Sequence, residues 1–317
     1  MVSRAFASAG DLAEKTVSFD EIGPGLWAFT AEGDPNSGVI VGDDAVMVVE
    51  AQATPRLARQ VIERVRGVTD RPITHLALTH YHAVRVLGAS AYGAGTVIMS
   101  EAARGMVAER GAEDRASEFE RFPRLFRGHE EIPGLTWPTV TFADRMTVWL
   151  GRRRVDLMRL GRGHTAGDMV VHVPDANVTF TGDLVEHRSA CYCGDAHFAD
   201  WPETLGRIRA LGPDAILPGR GAALVGRALV GEALDGTEAF LRATYDPVAR
   251  VALRGGSLRE AFAACRAACD PAFGDWAIYE HCLPFNVARA FDEAQGIAWP
   301  RIWTAERDRA MWAELQG

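Results

Sequence analysis

Two histidines one residue apart, His80 and His82 in "LTHYHAVRVLG" (Leu78–Gly88), stand just beyond a short apolar run. Imidazole is the commonest metal ligand among side chains, so an HxH pair is a metal-binding element in waiting. The chain then offers His164 in "GRGHTAGD" (Gly161–Asp168), Asp183 in "FTGDLV" (Phe180–Val185) and Arg220 in "LPGRG" (Leu217–Gly221). His80, His82 and His164 together make a His₃ set, the ligand pattern of a catalytic zinc with an open fourth position. Such a zinc lowers the pKa of its bound water to about 7, which yields a hydroxide nucleophile near neutral pH. Two histidines with Asp183 would equally suit a mononuclear iron oxygenase. A third reading keeps all of these groups but no ion, with the histidines hydrogen-bonded to Asp183 and to nearby arginines.

The elements that must position these residues alternate between strand-like and helix-like patterns. "GVIVG" (Gly38–Gly42) and "AVMVVE" (Ala45–Glu50) flank Asp43-Asp44 and predict a hairpin. Leu57, Val61, Ile62 and Val65 recur at helical spacing. "HLALT" (His75–Thr79) and "TVIMS" (Thr96–Ser100) read as buried strands, and a polar helix is expected from Glu101 to about Arg121. "TVWL", "VDLMRL", "MVVHV" and "NVTFTG" form a second strand series, followed by a helix near Trp201–Leu211 and the strand "AILPG" (Ala215–Gly219). From about Gly226 the chain turns mostly helical. Two similar halves of this kind imply an α/β (α+β) fold of two packed mixed sheets with helices outside. Each chemical stretch falls where a strand runs out into a loop, and active sites of α/β proteins collect at such strand ends.

Composition excludes several classes. The 317 residues are 48% hydrophobic and 24% charged, ordinary for a globular enzyme. The net charge of −8 argues against nucleic acid as a partner. "GRRRV" (Gly151–Val155) is too short a basic run to change that and reads as a solvated turn. No apolar run reaches the roughly 18–20 residues of a membrane span, and the N-terminal stretch lacks the apolar core of a secretory signal. Five cysteines, an odd and sparse set, suit a reducing compartment, so a cytoplasmic location is expected. Cys265 and Cys269 are read as buried neighbours on one helix face. Cys191, Cys193 and His197 lack the spacing and the fourth partner of a compact zinc site. His75, His129, His172 and His187 carry no motif, and His281 is read as a packing residue.

The order HxH, GHTxGD, TGD, PGxG resembles the metallo-β-lactamase superfamily over about Gly38–Gly221. The resemblance implies an αββα sandwich of mostly metal-dependent hydrolases, here over residues 1–235, with residues 236–317 as a C-terminal helical extension packed on it. It also implies that His80, His82 and His164 hold the first metal and that Asp183 takes the bridging position. The family's second-metal positions are occupied here by Val84, Arg85 and Arg220. None of them can ligate zinc, since valine has no donor atom and arginine stays protonated. A carboxylate left unpaired where a metal is absent is costly, so Arg85 and Arg220 are expected to converge on Asp183 as guanidinium substitutes for the second ion. Glu50 stands where the family has a carboxylate supporting the ligand loops, and metal-bound imidazoles usually donate their other N–H to such a group. Asp168 is expected to pair within its own loop.

The resulting expectation is a hydrolase with one zinc ion per chain, a metal-bound hydroxide as nucleophile and a small-molecule substrate that can be anionic. Arg85 or Arg220 would stabilise the oxyanion or hold a substrate carboxylate. The alternatives are a mononuclear iron oxidoreductase like the family's persulfide dioxygenases, or a metal-free protein binding an anion between the two arginines. Asp195 and His197, in "CYCGDAHFADW" (Cys191–Trp201), are expected to line the substrate pocket. A homodimer is expected by analogy with such families. Because the ligands stand at loop ends, loss of His164 is expected to spare the packed core.

Overall fold

The structure is a computed structural model describing residues 6–316. The chain opens with antiparallel strands β1 (Val17–Gly23), β2 (Leu26–Ala31), β3 (Ser37–Val41) and β4 (Val46–Val49). β4 is buried at every position, as suits a strand covered on both faces. Helix α1 (Pro55–Arg66) then crosses over to β5 (Ile73–Ala77), which lies parallel to β4. It is capped by Thr54, whose side chain accepts a hydrogen bond from Leu57 N, and it carries a proline at its start. A single turn α2 (Ala83–Val86) precedes β6 (Thr96–Ser100), the long helix α3 (Glu101–Arg121) and the edge strand β7 (Val140–Phe142). The first sheet has the order β1-β2-β3-β4-β5-β6-β7.

The second sheet comprises β8 (Arg145–Leu150), β9 (Arg153–Met158), β10 (Val170–Val173), β11 (Val178–Gly182), β12 (Ala215–Pro218) and β13 (Leu224–Val225), with α4 (Trp201–Leu211) between β11 and β12. Four helices follow: α5 (Arg227–Leu253), α6 (Leu258–Phe273), α7 (Tyr279–Ala294) and α8 (Ala305–Gln316). The sheets meet through Ile40, Met47, Val49 and Ile98 on one side and Leu157, Val171, Phe180 and Leu217 on the other. Leu76 and Met99 on the outer face of the first sheet pack with Val61 of α1 and Met106 of α3. Val170 and Ile216 of the second sheet share a core with Leu205 of α4, Phe240 of α5 and Leu283 of α7. The layers are therefore helix, sheet, sheet, helix.

The position expected to separate a first domain from an extension, between residues 235 and 236, lies inside α5. Helices α6 and α7 beyond it share one apolar cluster with the second sheet, and α8 packs through Met311 against Phe285 and Ala288 of α7 in a separate small cluster. The turn expected over Gly151–Val155 is confined to Gly151 and Arg152, because Arg153 already pairs with Leu150 across the β8–β9 hairpin. All five cysteines are buried thiols, and Cys265 and Cys269 face one another on α6 with sulfurs 3.8 Å apart. Among the described residues no helix is long and apolar enough to cross a membrane.

Strand direction places the chemistry. β9 is antiparallel to β10, β10 to β11, and β11 is parallel to β12, so β9, β11 and β12 all run the same way. Their carboxyl ends deliver His164, Asp183 and Arg220 to one rim, and the carboxyl end of β5 brings His80 and His82 there from the other sheet.

Candidate metal centre

His80, His82 and His164 form a buried cluster in which one ring nitrogen from each lies within 4.8 Å of the others. The ring planes stand nearly perpendicular to one another, with centroids 4.6 to 4.9 Å apart. Each imidazole has one nitrogen engaged by the protein. His80 Nδ1 meets Thr79 Oγ1 at 2.9 Å, His82 Nε2 meets Asp195 Oδ2 at 3.0 Å, and His164 Nδ1 meets the Tyr192 carbonyl at 2.8 Å. The other nitrogens turn toward a common point. His82 Nδ1 and His164 Nε2 are 2.9 Å apart, and His80 Nε2 is buried without any hydrogen-bond partner. An orphaned buried nitrogen is uncommon in a folded chain and signals a missing partner. The donor set, two Nε2 and one Nδ1 with their outer nitrogens oriented by protein groups, fits a transition-metal ion.

Electrostatics agree with that fit. Burial holds His80 well below the ordinary imidazole range and lowers His164 to about 3, so both are neutral and able to donate a lone pair. Burial also acts against a charged His82, but its hydrogen bond to Asp195 and the nearby Asp114 carboxylate outweigh it and raise the pKa.

Asp183 stands beside the triad, its Oδ2 3.8 Å from His80 Nε2 and 3.7 Å from His164 Nε2. Its Oδ1 closes an ion pair with Arg85 Nη2. Burial alone would push the Asp183 carboxyl up, yet Arg85, His80, His164 and Arg220 together hold it below the usual carboxylate range. Arg85 is fully buried and its Nη1 also donates to the Asn36 carbonyl at 3.3 Å. The one-turn α2 brings it there, and Asp114 of α3 fixes that turn by accepting Ala83 N–H at 2.7 Å. Gly219 makes room for the pair, since a β-carbon there would fall on Asp183 Oδ1 and crowd Arg85 Nη2.

Arg220 differs from the expectation of two converging guanidinium groups. It is buried, but its Nη1 donates to the Gly33 carbonyl at 3.1 Å and it makes no ion pair with Asp183. Its charge reaches Asp183 only through space, and it faces Glu186 as well. Glu186 is a buried carboxylic acid, three residues beyond Asp183, whose pKa is driven well up by burial and by the Asp183 charge. Nothing in its sequence surroundings beyond that proximity announced it.

The supporting residues divide in an unexpected way. Glu50, in a left-handed backbone conformation at the end of β4, does not touch an imidazole. Its Oε1 accepts from Thr79 N at 3.1 Å and from the Thr79 hydroxyl, and Thr79 in turn meets His80. Asp168 binds Thr165 N at 2.8 Å and the Thr165 hydroxyl at 2.6 Å, inside its own loop. Asp195 is no pocket wall. It is 2% exposed, and its oxygens are taken by His82, by Tyr81 at 2.6 Å and by Arg110 of α3 at 2.7 Å. Burial would raise its pKa, but His82, Arg110 and Tyr81 hold it down as a carboxylate. His197 lies apart from the triad beneath Trp299, ring centroids 5.9 Å apart, with its Nε2 buried and unpartnered. Arg110 was invisible as a site residue in sequence because it lies in no motif, and Tyr81, the middle residue of the HxH pair, carried no signal of its own there; the packing of α3 over the HxH turn brings Arg110 in.

Asp195→Asn is therefore expected to lower metal affinity about 10–100-fold, the usual effect of losing a partner that orients a ligand. Equilibrium titration with zinc against a competing chelator measures this. An unchanged affinity would show that His82 needs no carboxylate behind it.

The layering and the histidine cluster at its rim define an αββα sandwich with a candidate metal site. The family model described as the Metallo-beta-lactamase superfamily matches residues 30–220, more than half of the chain. The chain belongs to that superfamily. It is 23% identical to a metallo-beta-lactamase type 2 of Bacillus sp. (strain 170) over 218 residues, 65% of this chain and 77% of that one. It is 22% identical to the type 2 enzyme of Bacillus cereus over the same shares. Among solved structures, a metallo-beta-lactamase from Pontibacter korlensis superposes with a TM-score of 0.57 at 19% identity, over 72% of this chain and 99% of that one. That likeness concerns the fold.

Proposed function

We propose that the protein is a metal-dependent hydrolase of a small molecule that works with one metal ion, zinc, held by His80, His82 and His164. One observation carries the reading: three imidazoles, each fixed by a protein group at one nitrogen, turn their other nitrogens to a common buried point where His80 Nε2 has no partner. A metal held there supplies Lewis acidity that polarises an acyl oxygen and acidifies water.

The chain's own groups account for the rest. Asp183 presents Oδ2 to the same point and, as a carboxylate, can accept a proton from water or hold it in place. Arg85 supplies the fixed positive charge that a second ion supplies in dinuclear relatives, and keeps Asp183 ionised. Arg220 adds a second buried charge at greater distance. The full burial of Arg85 and the Gly33 contact of Arg220 weigh against either guanidinium holding a substrate anion, and so against the metal-free anion-binding reading. The position of Asp183 beside two histidines keeps a mononuclear iron oxidoreductase as the competing reading.

Elemental analysis after purification without chelator or added metal separates these readings. Zinc near one per chain is expected. Iron at that stoichiometry moves the protein to redox chemistry, and two ions per chain would overturn the role given to Arg85.

A further inference from the structure

The three histidines are no more than 3% exposed, so a substrate-sized molecule reaches them only if something above them moves. Three further aromatic rings touch the triad. Tyr81 lies 4.5 Å from His82, Trp201 lies 6.0 Å from His164, and Tyr192 lies 5.5 Å from His82 and 6.2 Å from His164, all between ring centroids. Tyr81 and Trp201 are buried, and Trp201 is fixed by its indole N–H on the Leu184 carbonyl at 3.0 Å. Tyr192 differs from both in being only partly buried, with its ring between the histidines and the rings of Phe285 and His281.

We propose that Tyr192 is the gate over the histidine cluster and that a latch on α3, closed by the C-terminal helix α8, holds it shut. The backbone of Tyr192 is a fixture, because its carbonyl accepts from His164 Nδ1 and its two neighbours are pinned. Cys193 N donates to Asn286 Oδ1 at 2.7 Å, and the Cys191 carbonyl accepts from Asn286 Nδ2 at 2.8 Å. The side chain can therefore swing without moving the ligand it supports. Gly194 permits the closed position, since a β-carbon there would fall on the Tyr192 hydroxyl. Trp303, just ahead of α8, donates to the Gly194 carbonyl at 2.9 Å.

The latch is Arg121, the last residue of α3. It donates from Nη1 to the Tyr192 hydroxyl at 3.2 Å, and its guanidinium carbon lies 5.3 Å from the Tyr192 ring centroid and 4.4 Å from that of Phe285. Arg121 is fully buried and held in turn by Glu118 at 2.7 Å and by Asp308 of α8 at 3.7 Å, while Ser117 also binds Asp308. A charged donor holds a phenol more firmly than a neutral one. Side-chain release is a local event, and the latch sets how often it occurs. The gate thus limits entry by size and ties access to the seating of α8.

The test reads access to the histidines directly and rests on the metal reading only for what lies behind the gate. Full-length protein, metal-stripped and cobalt-loaded, is treated with diethylpyrocarbonate, and acylation of His80, His82 and His164 is followed by mass spectrometry. Tyr192→Phe keeps the ring and loses the latch, and Tyr192→Ala removes the gate. Relative to the parent, acylation of the metal-stripped protein is expected to rise about tenfold in the first, the low end for one hydrogen bond from a charged donor, and about 30-fold or more in the second. Asp308→Asn, which loosens the latch from α8 and leaves Tyr192 intact, is expected to match the Phe variant. Equal rates in all four proteins, with exposed His129 as the internal standard, overturn the gate. A graded rise that cobalt does not suppress keeps the gate and overturns the metal reading instead.

Discussion

Replacing Arg85 with alanine is expected to lower stability by about 3–5 kcal/mol, the cost of stripping one partner from a buried ion pair. For a chain of 317 residues, unfolding with an entropy of about 2.1 cal/mol/K per residue, that corresponds to a fall in Tm of roughly 4–8 °C. The effect is large because Asp183 has no alternative cation in contact: Arg220 lies beyond ion-pair reach and donates to Gly33 instead. Removing the guanidinium leaves a carboxylate that is 5% exposed with no cation in contact. The double change Arg85→Ala with Asp183→Asn is expected to cost less than the sum of the two single changes, with a coupling of about 0.5–3 kcal/mol. Thermal and urea denaturation of the four proteins, metal-stripped so that binding does not enter, give that cycle. Additive costs would mean that Arg85 stabilises the protein by packing alone and does not stand in for an ion. Arg220→Ala is the internal comparison, and a smaller loss is expected there.

His164→Ala is expected to abolish stoichiometric metal binding, since two imidazoles and a neighbouring carboxylate already engaged by Arg85 make a much weaker site. Metal content and a competition titration on the purified variant measure it. If the variant retains the parent's stoichiometry, His164 is not a ligand. The sequence alone suggested that this loss would leave the core untouched. The structure corrects that, because His164 is 1% exposed between Trp201 and Tyr192. Its removal opens a cavity and frees the Tyr192 carbonyl, so a further loss of about 1–3 kcal/mol is expected, the usual range for buried truncations. The chain remains folded at room temperature in this account, and a variant recovered only as aggregate would mark His164 as structural first.

Much of the architecture was legible in the residues. The hairpin around Asp43-Asp44, the helices beginning near Thr54 and Trp201 and the strand series from β8 to β12 follow from alternation, helical spacing and capping residues, which act over a few positions. β1 and β2 were not read. In the edge strand β1 the alternation of Val17 and Phe19 with exposed Ser18 and Asp20 is short and breaks at Glu21, and only Ile22 is fully buried.

By itself the sequence determined which atoms are available for chemistry. Three imidazoles and a carboxylate occupy the strand-end motifs, and valine and two arginines occupy the positions where further ligands would be needed. It also determined the sign of the compensation, since a lost cation beside a carboxylate calls for another cation. Tertiary structure decided how those atoms are used. Of two arginines alike in sequence, only Arg85 reaches Asp183, because α2 aims it inward whereas the loop after β12 brings Arg220 to the Gly33 carbonyl. Asp195, read as a pocket residue, became the anchor of His82, and Tyr192, unmarked in sequence, came to cover the cluster. Those outcomes depend on contacts between residues 28 to 187 positions apart, set by how the helices and loops pack over the rim. A local pattern holds no record of such contacts, because the energy that fixes them is shared among elements distant in the chain.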